Sequence, residues 1–211
     1  MKELKIIFAG ARGSGKTTAI STLSETPVYS VTGHGEADPA VVRHPTSAAM
    51  DCGEILLEGG QRVKLYGTHL GRRLNKTRRG TLYRETLYNN QNNHNSRSSK
   101  CTATQGGVFT GNVLGIAVLI NNAARTPLEE LDWSLQQLSS TMYSPIYSTT
   151  AHTAIAIGIT HTDQSNCPSM DLYHQFMREK KLFYPLFPVD TRRSKDVNVL
   201  LEAMMALLQV A

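Results

Sequence analysis

The stretch Gly10-Ala11-Arg12-Gly13-Ser14-Gly15-Lys16-Thr17 matches the phosphate-binding pattern G-x-x-x-x-G-K-[ST] at every defined position. An apolar run, Leu4 to Ala9, precedes it and a helix-like segment, Lys16 to Leu23, follows it. Backbone N–H groups of such glycine-rich loops surround phosphates, the lysine adds a cation, and the threonine hydroxyl is suited to Mg²⁺. The stretch predicts a bound nucleoside triphosphate, with a catalytic Lys16, a metal-ligating Thr17, and contacts from Gly10, Gly13, Ser14, Gly15 and Thr18.

Apolar runs and helical stripes alternate along the rest of the chain. Leu114 to Ile120 and Thr153 to Thr160 are nearly continuous apolar runs, which are typical of buried parallel strands. The patterns further predict a glycine-turn hairpin over Ile55–Leu57 and Arg62–Tyr66, helices over Pro127–Leu138, Met170–Lys180 and Ser194–Leu208, and a strand over Leu186–Val189. This order predicts an α/β fold with a doubly wound, mostly parallel sheet, whose ligands bind at the carboxyl ends of the strands.

Length and composition favour a single domain over residues 1–211. The chain has 40% hydrophobic and 18% charged residues, which excludes wholesale disorder. Its longest clean apolar run, Gly115 to Ile120, is far shorter than the roughly 20 residues of a membrane span, and the start at Met1 carries no signal-peptide pattern. We therefore expect a soluble, cytoplasmic protein without a transmembrane segment. The three cysteines show no CxxC spacing and predict neither a disulfide framework nor a zinc site.

The net charge of +5 is concentrated in one segment. Between residues 67 and 110 there are eight basic residues and one acidic residue, giving +7, so the remainder carries about −2. The same region contains a polar stretch, 89–107, with little to bury, for which we expect a long mobile loop or disorder. The basic segment 72–100 is either a surface for an acidic partner, lipid or RNA, or a solvated insertion at about 72–110. Nucleic acid is disfavoured because few aromatic residues interleave the charges.

A second constellation, Thr160-His161-Thr162-Asp163, directly follows the apolar run that ends at Thr160. GTP-binding proteins with a phosphate-binding loop carry their guanine-reading Asn-Lys-x-Asp motif at this place. A carboxylate accepts hydrogen bonds from the N1–H and N2 amino groups of guanine, a pattern that adenine does not offer. Thr160, His161 and Asp163 are therefore candidate base contacts. The alternative is that Asp163 is a turn or helix-capping residue.

These motifs together resemble those of Ras-like small GTPases, and within them a group of predicted bacterial GTPases with a T-H-x-D motif. The shared stretches are Thr46-Ser47-Ala48-Ala49-Met50-Asp51-Cys52-Gly53-Glu54, Leu65-Tyr66-Gly67-Thr68 and Thr160-His161-Thr162-Asp163, and Val189-Asp190-Thr191-Arg192 is similar to the last base-contacting loop. The resemblance covers the chain except for about 69–112. It implies a six-stranded, mostly parallel sheet with one antiparallel edge strand and helices on both faces, guanine specificity, a contact from Thr191, and partners of the roadblock type.

The resemblance also implies two switch regions. Thr46 matches the switch I threonine that completes the Mg²⁺ shell, although a strand-starting threonine is the alternative. Switch II departs from the usual D-x-x-G-Q, since Gly67-Thr68-His69-Leu70-Gly71 has Gly67 for the aspartate and no glutamine. Gly71 could present its N–H to the γ-phosphate, and His69 is either a proton-handling group or a solvated histidine.

Arg12 is unusual within the loop and is a candidate catalytic cation, an obstruction to a partner's arginine, or a solvated side chain.

From the sequence we expect a GTP-binding switch that hydrolyses GTP slowly to GDP and phosphate, with Mg²⁺ as cofactor. The alternatives are a P-loop kinase acting on a small molecule and a nucleotide-binding scaffold without hydrolysis.

Overall fold

A computed structural model describes residues 3–31, 50–57, 60–70, 112–142 and 153–210 of the chain. The strands are β1 (Leu4–Gly10), β2 (Tyr29–Val31), β3 (Met50–Leu56), β4 (Arg62–His69), β5 (Asn112–Asn121), β6 (Ala154–Thr160) and β7 (Leu186–Pro188). The helices are α1 (Lys16–Leu23), α2 (Pro127–Met142), α3 (Met170–Glu179) and α4 (Ser194–Val210).

The strands form one sheet in the order β2-β3-β4-β1-β5-β6-β7. β1 is central and pairs in parallel with β4 and β5, and β6 and β7 continue the parallel arrangement. β3 runs antiparallel to both β2 and β4. Buried apolar side chains fill β1, β5 and β6 because both faces of these central strands are covered.

Helices cover the two faces of the sheet and produce two apolar cores. One core contains side chains of α2 and α3, such as Leu131, Leu138 and Tyr173. The other contains side chains of α1 and α4, such as Ile20 and Leu200. The α/β class, the mostly parallel sheet and the helices on both faces are therefore confirmed.

The sheet differs from the expected six strands in having a seventh, β2. This strand lies outside the antiparallel β3, so the antiparallel β3 is not at the edge of the sheet. Three residues are too few to show the alternation by which strands are recognised, which explains why β2 was missed. The hairpin of β3 and β4 is confirmed, but β3 begins at Met50, five residues before the predicted Ile55. The remaining elements were predicted within about four residues of their bounds.

Several predictions fall on residues that the structure does not describe. Thr46, Gly71 and the polar, basic region 72–110, including 89–107, lie outside the described ranges. Among the residues within those ranges, no helix has the length and apolar character that crossing a membrane requires. Cys52 is disulfide-bonded, a pairing that the cysteine spacing did not indicate. The other described cysteine, Cys167, is free.

The end of β1 requires a glycine because the chain passes close to β5 there. Gly10 has a φ of 156°, and a Cβ at this position would lie 2.7 Å from the Ser14 hydroxyl oxygen and against the Leu119 carbonyl oxygen. A side chain there would have to displace backbone, which does not yield easily in a packed core. Gly10 thus fixes the point from which the β1–α1 loop leaves the sheet.

Candidate functional site

The carboxyl ends of β1, β6 and β7 open into a cleft of about 630 Å³. Three loops line it: the β1–α1 loop, the β6–α3 loop and the β7–α4 loop. The predicted site residues that line the cleft come from these loops and from the start of α1. They are Gly13, Gly15, Lys16, Thr17, Thr18, Thr160, His161, Asp163 and Thr191. The position agrees with the rule that ligands of doubly wound sheets bind beyond the carboxyl ends of the strands.

The β1–α1 loop presents the N-terminus of α1 to the cleft. Gly15 is the N-cap of the helix and has a left-handed φ of 89°. A Cβ on Gly15 would lie 2.8 Å from the hydroxyl oxygen of Thr191, so the loop packs tightly on the β7–α4 loop. The hydroxyl of Thr22 in α1 also donates to the Thr191 carbonyl oxygen at 2.8 Å. These contacts hold the free N–H groups of the helix start against one wall of the cleft.

Lys16 lies folded over its own loop. Its Nζ donates to the Ala11 carbonyl oxygen at 2.6 Å and to the Ser14 hydroxyl at 3.4 Å. Burial lowers the pKa of Lys16 to about 8. The negative charges of Asp51 and Glu130 act in the opposite direction and raise this pKa. A desolvated ammonium group attracts an anion strongly, because water screens it less than it screens a surface lysine. The site therefore provides a concentrated positive charge beside the helix N-terminus.

Two acidic residues near Lys16 were not among the predicted site residues. The Thr17 hydroxyl donates to Oδ2 of Asp51, which lies on β3. Burial raises the pKa of Glu130, at the start of α2, while Lys16 acts in the opposite direction. Asp51 lies in one of the stretches that carry the sequence resemblance, but neither residue was given a role, since each reaches the site through a contact distant in sequence.

Thr160 joins the two halves of the cleft. Its buried hydroxyl lies 3.3 Å from the Ser14 carbonyl oxygen in the β1–α1 loop and 3.1 Å from the Ile120 carbonyl oxygen on β5. It also lies 2.9 Å from Nδ1 of His161, whose φ of 57° turns the chain sharply after β6. Among the residues predicted to contact the base, Thr160 therefore has a clear structural role, holding the β6–α3 loop to the β1–α1 loop.

Asp163 and Arg192 form an ion pair in the lining of the cleft. Their charged groups are 3.7 Å apart, and both side chains are about 70% exposed, at 69% and 70% respectively. Arg192 makes closer contacts with Asp190, donating from Nε at 2.8 Å and from a terminal nitrogen at 3.0 Å. These hydrogen bonds lower the pKa of Asp190 to about 2. Arg192 is thus held mainly by Asp190, and the Asp163 carboxylate remains open to the cleft.

A buried hydrogen-bond chain anchors the β6–α3 loop behind Asp163. Tyr173 on α3 donates to Oδ1 of Asn122 at 2.8 Å, and Nδ2 of Asn122 donates to the Pro168 carbonyl oxygen at 3.1 Å. Both Tyr173 and Asn122 are buried, and burial raises the pKa of the tyrosine. Because Asn122 lies just after β5 and Tyr173 lies on α3, the sequence motif gave no indication of this anchor.

We expect Tyr173→Phe to destabilise the fold by about 1–3 kcal/mol, because the Asn122 oxygen would be left buried without its donor. The free energy of unfolding in urea measures this loss. Tyr29→Phe is the matched control, since Tyr29 is 65% exposed and should tolerate the change. Equal unfolding free energies for Tyr173→Phe and the parent would contradict an anchoring role for the hydrogen bond.

The remaining predicted residues of the described chain lie outside the lining of the cleft. Ser14 is fully buried behind the loop, and Gly10 ends β1. Arg12 is exposed at the tip of the loop. Thr68, assigned to a switch loop, is buried inside β4, and His69 is the exposed last residue of that strand. Thr68 is therefore part of the sheet, because β4 extends further than the hairpin pattern indicated.

Comparison with protein-family models found no match for this chain. A search of curated proteins likewise found no relative of significant similarity. The functional interpretation accordingly depends on the residues of the cleft.

Proposed function

We propose that the chain binds a nucleoside triphosphate through its β1–α1 loop, as P-loop NTPases do. The support is the combination of a matching motif with the N-terminus of α1, Lys16 and Thr17 at one end of a cleft. Helix N-termini and a nearby lysine are suited to the oxygens of a polyphosphate. In this proposal Lys16 shifts from its contacts within the loop to the outer phosphates.

Within that class, we propose a guanine-nucleotide switch of the small GTPase type. The observation that carries this choice is that Asp163 lines the same cleft as Lys16. An open carboxylate accepts from N1–H and N2 of guanine, whereas adenine offers no such pair of donors. Thr191 also lines the cleft and packs on Gly15. A roadblock-type partner is part of the proposal through the sequence resemblance alone.

Mg²⁺ fits the donor chemistry at the phosphate end. Thr17 presents a hydroxyl oxygen there, in contact with a carboxylate oxygen, and Mg²⁺ prefers oxygen ligands. Within the described ranges no group of three or more His, Cys, Asp or Glu side chains forms a metal cage. Mg²⁺ at nucleotide sites uses one or two protein oxygens together with phosphates and water, and it neutralises charge on the β- and γ-phosphates when bound.

The nucleotide content of the purified protein tests the proposal directly. Denaturation followed by ion-pair chromatography should release GDP or GTP. If nothing is carried through purification, titration with fluorescent GDP and ADP should show a preference for the guanine nucleotide. Bound ATP or ADP, or a preference for ADP, would exclude the guanine switch and favour the kinase alternative.

We expect slow hydrolysis by the isolated protein, on the order of 10⁻⁴ to 10⁻³ per second, as for unassisted small GTPases. The stretch from Gly67 to Arg72 contains no glutamine to orient water. Because Arg12 is exposed at the loop tip, Arg12→Gly should leave the rate within about threefold. Single-turnover phosphate release measures both values. A drop of about tenfold or more would instead identify Arg12 as a catalytic cation, and complete absence of phosphate release would favour the scaffold alternative.

A further inference from the structure

Asp51 reaches the phosphate end of the cleft from an unusual direction. It lies on β3, which runs antiparallel to β4, and its partner in the register of the two strands is Gly67. Oδ2 of Asp51 accepts a hydrogen bond from the Thr17 hydroxyl at the start of α1. A carboxylate from one strand is therefore joined to the hydroxyl that the motif assigns to Mg²⁺.

Gly67 provides the space that this arrangement needs. A Cβ at residue 67 would lie 3.2 Å from Cβ and 3.4 Å from Oδ2 of Asp51, and 3.0 Å from Cδ1 of Ile20. The Asp51 side chain thus occupies the region into which a side chain of residue 67 would project. Gly67 lies on β4, the strand that pairs in parallel with β1, directly opposite Phe8.

Position 67 is significant because P-loop NTPases hold Mg²⁺ with the loop Ser or Thr and with an aspartate from a neighbouring strand. In this chain the corresponding position of β4 is a glycine, whereas the carboxylate that meets Thr17 comes from β3. We propose that Asp51 is the acidic residue of the Mg²⁺ site and replaces from β3 the aspartate that β4 lacks. This inference rests on the proposed nucleotide-binding function.

The hydrogen bond gives Asp51 two effects on a bound ion. By accepting a hydrogen bond from the Thr17 hydroxyl, the carboxylate orients that hydroxyl so that its oxygen lone pairs are available to the metal. The negative charge of Asp51 lies close enough to Lys16 to oppose the lowering of the lysine pKa. It therefore also balances the positive charge of Lys16 at this end of the cleft. The alternative is that Asp51 only fastens α1 to β3, and metal affinity separates the two roles.

The experiment measures Mn²⁺ affinity in the nucleotide complex, with Mn²⁺ standing in for Mg²⁺. The parent and Asp51→Asn are first loaded with fluorescent GDP in excess EDTA, which gives nucleotide affinity without metal. Mn²⁺ is then titrated into the EDTA-free complexes, and free Mn²⁺ is quantified by electron paramagnetic resonance. Asn keeps an acceptor for the Thr17 hydroxyl but removes the charge.

We expect the Asp51→Asn complex to bind Mn²⁺ about 10- to 100-fold more weakly than the parent, the range found when groups supporting metal ligands are removed. Nucleotide affinity in EDTA should change far less, since the substitution removes no phosphate contact. Glu54→Gln is the matched control. Glu54 lies on the same strand and pairs with Arg62 at 2.9 Å, so its loss should leave Mn²⁺ affinity unchanged.

A second variant moves the carboxylate to the other strand. The double variant is Asp51→Gly/Gly67→Asp. It removes the Asp51 side-chain atoms that a new Cβ at position 67 would otherwise contact. We expect this double variant to recover most of the Mn²⁺ affinity that Asp51→Gly alone loses. It also provides a test that does not depend on Asp51→Asn folding well.

Three results would decide the matter. Mn²⁺ binding by Asp51→Asn that equals the parent, with nucleotide bound to both, would overturn the role of Asp51. A folded double variant that binds nucleotide but stays as weak as Asp51→Gly would overturn its equivalence to an aspartate on β4. If the parent itself binds no nucleotide in EDTA or with Mn²⁺, the proposed function fails, and the inference fails with it.

Discussion

Replacing Asp163 with asparagine is expected to reverse the base preference of the cleft from guanine towards xanthine. The asparagine oxygen can still accept from N1–H, but its NH2 group would face the N2 amino group of guanine, whereas xanthine offers a carbonyl oxygen there that this NH2 can bond. The variant thus loses one hydrogen bond to guanine and removes one mismatch with xanthine. At about 1–3 kcal/mol each, the two changes correspond to about a hundredfold or more in the GTP to XTP affinity ratio. Competition between GTP and XTP for a fluorescent guanine nucleotide measures this ratio.

Asp171→Asn provides the matched control for that experiment. Asp171 is an exposed carboxylate in the first turn of α3, close in sequence to Asp163 but outside the lining of the cleft. Its removal changes the protein charge by the same amount and should leave the affinity ratio as in the parent. If Asp163→Asn also leaves the ratio unaltered, Asp163 is a turn residue, and the guanine assignment loses its main support.

The fold was largely predictable because its strongest signals are local. The phosphate-binding motif fixes the order β1, loop and α1, and the apolar runs of β5 and β6 are long enough to indicate buried strands. Helix stripes then supply the covering layers. β2 was not predicted, because three residues are too few to show a periodic pattern. These residues form a strand through their pairing with β3.

The residues of the candidate site were predictable where a motif assigns them a role. Lys16, Thr17 and Asp163 were found in this way, and the structure gathers them around one cleft. Asp51 lies in a stretch that carries the sequence resemblance, but it had no assigned role because its position depends on the antiparallel register that sets it opposite Gly67. No rule based on spacing along the chain indicates that a residue 34 positions away will meet the Thr17 hydroxyl.

The same reasoning applies to the residues that support the β6–α3 loop. The Asn122–Tyr173 hydrogen bond joins residues that are 51 positions apart. Each residue on its own is compatible with many environments, and only the packing of α3 beside the end of β5 makes them partners. Long-range contacts of this kind position the motif residues, which explains why the sequence identified the motif residues better than the residues that hold them.

Removing the Lys16 side chain is expected to weaken nucleotide binding by about 10- to 150-fold. The estimate corresponds to the loss of charge-assisted contacts worth about 1.5–3 kcal/mol. Burial makes this ammonium group more effective than an exposed one, because less water competes for it. Fluorescent GDP titration of Lys16→Ala and the parent measures the effect, and Lys180→Ala is the control, since Lys180 pairs with Asp132 away from the cleft.

Stability measurements separate loss of binding from loss of fold in this variant. Burying the charge of Lys16 is unfavourable, and this desolvation is the reason for its lowered pKa. Its hydrogen bonds to Ala11 and Ser14 offset part of that cost. Without nucleotide, the free energy of unfolding of Lys16→Ala should therefore stay within about 1 kcal/mol of the parent. A folded Lys16→Ala protein that binds GDP as tightly as the parent would refute the assignment of the β1–α1 loop to phosphate binding.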